Sequence, residues 1–156
     1  MRRLLFALAL LPAPAFADPV GKFTVHGSNL DGSNAYEGTV SVKRTGATYS
    51  VTWNVEGTRF TGTAVGAKTD TSALGAASEH DSVLSVIYRA GKDVGTALFF
   101  EVRPGEWRGI WAYEGTSVAA LENWQSEEDK TSTKALTRPK GQDQIAPAPG
   151  PDAPSP

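Results

Sequence analysis

No cysteine occurs anywhere in the 156 residues. Neither a disulfide nor a thiolate metal site can hold this chain together, and a lipid-modified cysteine is excluded with them. Histidine is scarce, with only His26 and His80, and no His-Glu-x-x-His, nucleophile elbow, phosphate loop or dinucleotide fingerprint is present. An excess of positive charge is also missing. The 15 Lys and Arg face 17 Asp and Glu, so nothing follows a phosphate backbone and nucleic acid is not an expected ligand. No apolar run reaches the roughly 20 residues that a membrane-spanning helix needs, so no membrane anchor is expected either.

What is present begins with an address. Arg2 and Arg3, the apolar run Leu4 to Leu11 and the small-x-small site Ala15-Phe16-Ala17 describe a secretory signal peptide over residues 1–17. The expectation is a periplasmic or secreted protein starting at Asp18. Without a disulfide in that oxidising compartment, its stability has to come from the core. Taking Arg2 and Arg3 from the basic residues leaves thirteen against seventeen acidic ones, a net charge of about −4. Residues 126–156 are charged, threonine-rich and then proline-rich, with too little apolar bulk to offset the entropy of ordering, and are expected to be a disordered tail. One domain remains, residues 18–125.

Its strongest pattern runs from Tyr49 to Gly66. Tyr49, Val51, Trp53 and Val55 alternate with polar residues, as in a half-buried strand, and Glu56-Gly57-Thr58-Arg59 reverses the chain. Similar alternation around Phe23–Val25, Tyr36–Val42, Leu84–Tyr88, Val94–Val102 and Trp107–Tyr113 predicts further strands, with Val118–Trp124 a weaker eighth. In the Val94–Val102 segment the inward set is read as Val94, Thr96, Leu98, Phe100 and Val102. The stretch Ala67–Asp81 has no period and is predicted to be a long functional or mobile loop.

Aromatic-x-Gly recurs at Tyr36-Gly38, Phe60-Gly62, Trp107-Gly109 and Tyr113-Gly115. Glycine weakens a strand unless the chain must coil sharply, which a closing sheet demands. The pattern therefore predicts an all-β, antiparallel up-and-down barrel of seven or eight strands, with a β-sandwich as the alternative.

Four motifs resemble a group of small exported alphaproteobacterial proteins sometimes labelled fibronectin-binding. They are Gly21-x-Phe23-x-Val25-x-Gly27, Asn29-x-Asp31-Gly32-Ser33 before Tyr36-x-Gly38-x-Val40, Tyr49-x-Val51-x-Trp53-x-Val55-x-Gly57, and Trp107-x-Gly109-x-Trp111. The resemblance covers most of the domain and none of the tail. It implies export and a β-fold and brings no catalytic residues. Gly21-x-Phe23 is also similar to the Gly-x-Trp opening of lipocalins and avidins, with phenylalanine in place of tryptophan.

The functional expectation is a non-enzymatic binding protein without a cofactor. A small apolar or aromatic compound would sit in the barrel between Trp53, Tyr88 and Trp111, in space left by Gly38, Gly62, Ala64, Gly66 and Gly109. Alternatively, Ile87, Phe99 and Trp124 would face outward and meet a protein partner of the extracellular matrix or envelope. The carboxylates Glu101, Glu106, Glu114 and Glu122 are read as lying on outer faces or turns, unsuited to acid–base work. For metals, Glu79-His80-Asp81 is a weak candidate cluster. The oxygen donors Asn29, Asp31 and Ser33 before Glu37 loosely suggest a calcium-stabilised structural domain, without the full spacing of a calcium loop.

Overall fold

The computed structural model describes residues 18–127. The signal-peptide segment and nearly all of the expected tail lie outside the described residues. Eight strands follow in order: β1 (Gly21–Asn29), β2 (Tyr36–Thr45), β3 (Thr48–Val55), β4 (Thr58–Ala67), β5 (Val83–Ala90), β6 (Asp93–Arg103), β7 (Glu106–Tyr113) and β8 (Ala120–Ser126). Each pairs antiparallel with the next, and β1 also pairs with β8, Val25 opposite Trp124 and Gly27 opposite Glu122. That last pairing closes the sheet into a barrel and removes the sandwich alternative. The weak eighth strand is real and runs to Ser126, one residue past the expected domain boundary.

Closure brings alternate connections to opposite ends. Residues 30–35, 56–57, 91–92 and 114–119 surround one end, the mouth, while residues 46–47, 68–82 and 104–105 gather at the other, the floor. The long loop 68–82 is a plug at the floor. Ala77 donates its N–H to the Ala47 carbonyl, and its side chain packs on the core. Asp81, only 4% exposed, turns inward, where its carboxylate accepts from the Tyr49 hydroxyl at 2.6 Å and from the Ser78 N–H at 3.0 Å. Burial, together with the Asp81 carboxylate beside it, holds the Tyr49 phenol well above its ordinary value.

Two strands have the opposite face inward from the one their apolar pattern suggested. In β6 the interior residues are Gly95, Ala97 and Phe99, whereas Leu98, Phe100 and Val102 are exposed. The more apolar face lost because the interior beside β6 is already occupied: the Tyr88 ring fills the volume a side chain at Gly95 would need. Phe99 is instead fully buried, its ring centroid 3.9 Å from that of Trp124. In β8, Ala120, Glu122 and Trp124 point inward and Leu121 outward. Of the three residues assigned to an outer docking face, only Ile87 lies outside; Phe99 and Trp124 are core.

The inward glycines do not leave the ligand space expected of them. The Phe99 ring occupies the volume beside Gly109, the Asp81 carboxylate that beside Gly66, and the backbone and side chain of Val55 crowd Gly38. They admit neighbouring groups and leave no vacant space of their own. Gly115 is not inward at all; its φ of 73° serves the turn after β7.

Candidate functional site

Packing is uneven along the barrel axis. Phe23, Val42, Val51, Leu84, Trp107 and Trp124 fill the floor half. Toward the mouth the barrel opens into a cavity of about 510 Å³. Its walls include Tyr36 from β2, Trp53 from β3, Phe60 from β4, Tyr88 from β5, and Trp111 and Tyr113 from β7; Asn34, Glu56 and Thr58 stand at the rim. Such a volume is within the range of small-molecule sites. The three residues singled out as ligand walls, Trp53, Tyr88 and Trp111, are thus brought around one space, Trp53 and Trp111 each within 6.3 Å of the Tyr88 ring centroid.

The innermost lining group is one that strand parity had placed outside. Glu122, 5% exposed, projects from β8 into the barrel. Its Oε1 accepts from the indole N–H of Trp53 at 2.8 Å and of Trp124 at 2.5 Å. Its Oε2 accepts from the Tyr36 hydroxyl at 2.7 Å, and that hydroxyl in turn accepts the Trp111 indole N–H at 2.7 Å. A carboxylate offers about four lone-pair positions, so three donors leave one open. Burial pushes Glu122 above the ordinary carboxylate range, and the bonds from Trp124, Tyr36 and Trp53 pull it part of the way back. The Tyr36 phenol is held well above its usual value by burial, then by the neighbouring Glu122 charge; Tyr88 is raised by burial, then by Tyr113 and Glu122. Tyr88 spends its own hydroxyl proton on the Ala112 carbonyl, 3.3 Å away.

The pattern Ala120-x-Glu122-x-Trp124 held the missing signal. A tryptophan two residues from a carboxylate shares its face, so an inward Trp124 requires an inward Glu122. Glu101, Glu106 and Glu114 do not line this space. Glu101 lies half-buried near the floor, where burial raises its carboxyl and the Gly105 N–H donates to it at 3.0 Å; Glu106 pairs with Arg103 and Arg108, and Glu114 is exposed.

The fold draws Asp81 away from Glu79 and His80, and turns the donors of Asn29, Asp31 and Ser33 on one another. Asp81 is buried in the plug while Glu79 lies beside His80, its Oε1 3.7 Å from Nε2. Asp31 accepts from Ser33 N–H and Oγ–H, closing an Asx turn between β1 and β2. Among the described residues no group of three or more His, Cys, Asp or Glu side chains is arranged to hold a metal ion.

Barrel and cavity together define an eight-stranded antiparallel barrel with one open, aromatic-lined end. No family model matches the chain, and no curated protein matches it. Among solved structures, that of EF1p2_mFAP2b bound to DFHBI is similar at a TM-score of 0.48 and 11% identity, over 69% of this chain and 93% of that one.

Proposed function

We propose that this is an exported, non-enzymatic binding protein that takes a compact aromatic molecule into the mouth of its barrel. The observation that carries the reading is the cavity itself: seven aromatic side chains line a space of about 510 Å³, with one hydrogen-bonding carboxylate at its inner end. Pockets for small molecules combine such apolar walls with a few fixed polar groups. The site is held in place before any ligand arrives, because the Glu122 bonds lock Trp53, Trp111 and Tyr36 in one arrangement.

Native mass spectrometry of protein purified from its own compartment, set against the denatured mass of the same sample, tests this. The expected result is an added mass of small-molecule size that disappears on denaturation and is absent from Trp111→Ala. A bare mass under every condition, together with no uptake of aromatic probes, would overturn it.

A second reading, a module for a protein partner, draws on a specific surface feature. Val65, Leu98, Ile110 and Leu121 are exposed and lie in one cross-strand row, with Ser85 between the first two. Under that reading Leu98→Asp weakens partner binding and leaves the cavity unaffected.

A further inference from the structure

We propose that the cavity selects an aromatic cation, a protonated amine or amidine whose N–H pairs with Glu122 while its ring lies against Trp53, Tyr88 and Trp111. This rests on the cavity being a ligand site, and it specifies the ligand's charge and hydrogen-bonding sense.

Three observations lead to it independently. The first is that the donors at the inner end are already spent. The indole N–H groups of Trp53 and Trp124 point at Glu122, that of Trp111 at Tyr36, and the hydroxyls of Tyr36 and Tyr88 at Glu122 and the Ala112 carbonyl. What remains for a ligand there is acceptor capacity, chiefly the open lone pair of Glu122, so the ligand has to donate.

The second is charge. Among the described residues lining the cavity the carboxylic acids are Glu122 inside and Glu56 at the rim, and there is no lysine, arginine or histidine. At the inner end an anionic ligand would meet repulsion from Glu122 and no free donor. A carboxylate this deeply buried is ordinarily matched by an opposite charge, and here the neighbours supply neutral N–H and O–H groups only. A cationic ligand would complete the pair.

The third is the walls. The faces of tryptophan and tyrosine carry negative electrostatic potential and attract cations, most strongly where water is excluded. Trp53, Tyr88 and Trp111 stand around the space into which Glu122 points.

The test compares two probes of nearly equal shape, 2-naphthylmethylamine and the neutral 2-naphthylmethanol, by calorimetric titration of the intact protein at a pH above the titration of Glu122. The amine is expected to bind about tenfold or more tightly than the alcohol, the margin by which charge-assisted hydrogen bonds exceed neutral ones. Glu122→Gln should abolish that advantage while the alcohol still binds, and Glu56→Gln should leave most of it. A pH series on the unaltered protein serves even where Glu122→Gln fails to fold. The amine's advantage should rise as pH rises through the titration of Glu122 and stay flat below it. Facing that carboxylate, Tyr36 from β2 and Tyr88 from β5 are the other titratable groups. β1 and β7 place Gly27 and Gly109 opposite it, and Trp53, Ala97, Phe99 and Trp111 do not ionise. Both phenols are raised well above their usual values and stay neutral across the window.

Equal affinity for amine and alcohol, or an advantage indifferent to pH, would overturn the cation assignment while leaving the cavity a binding site. Failure of both probes to bind would remove the cavity reading itself.

Discussion

A carboxylate buried inside a barrel ties this protein's stability to pH. The folded-state value of Glu122 lies above the ordinary 4.5, so between those two values the folded chain holds a proton that the unfolded chain releases. The stabilisation from that proton is fully present below about 4.5 and is lost as pH rises through the folded value. Urea midpoints should therefore decline across that window, and Glu122→Gln should decline less; the difference between the two isolates Glu122 from the half-buried Glu101, whose shift has the same sign. Parallel curves for the two proteins would show that Glu122 does not titrate there. Tyr36→Phe removes one donor from Glu122 and strands the Trp111 indole N–H. Removing a hydrogen bond from the buried Glu122 carboxyl costs about 1–3 kcal/mol, which urea unfolding should register.

Turns and strand faces respond to different substitutions. The β3–β4 turn has positive φ at both central residues, 47° at Glu56 and 80° at Gly57, the geometry of the hairpin turn that favours Asn-Gly. A glutamate there is strained, so Glu56→Asn should stabilise by roughly 1 kcal/mol in thermal unfolding. Gly66 in β4 has no room for a methyl group, because the Asp81 carboxylate occupies that volume. Gly66→Ala should displace the plug and cost about 1–3 kcal/mol, with faster amide exchange at Ala77, whose N–H anchors the loop to Ala47. The two strands with inverted faces explain what parity could not show. Val94, Thr96, Leu98, Phe100 and Val102 are together more apolar than Gly95, Ala97, Phe99 and Glu101, yet the smaller set faces in because rings from β5 and β8 fill the space before it.

At the scale of the whole molecule, closure depends on the first and last strands finding each other, with Phe23 opposite Ser126 and Asn29 opposite Ala120. A chain ending at residue 119 would leave β1 and β7 with unpaired edges, and size-exclusion chromatography should show it aggregating. Alternation in β2, β3, β4 and β5 was legible because one face is plainly apolar, and the glycines signalled coiling; the sequence by itself thus determined an antiparallel β-domain with Trp53, Tyr88 and Trp111 inward. Periodicity records only which residues share a face. Which face of β6 and β8 turns inward, whether β1 meets β8, and that Glu122 gathers Tyr36 from β2 and Trp53 from β3 depend on side-chain volumes competing for one enclosed interior, and only the tertiary structure decided them.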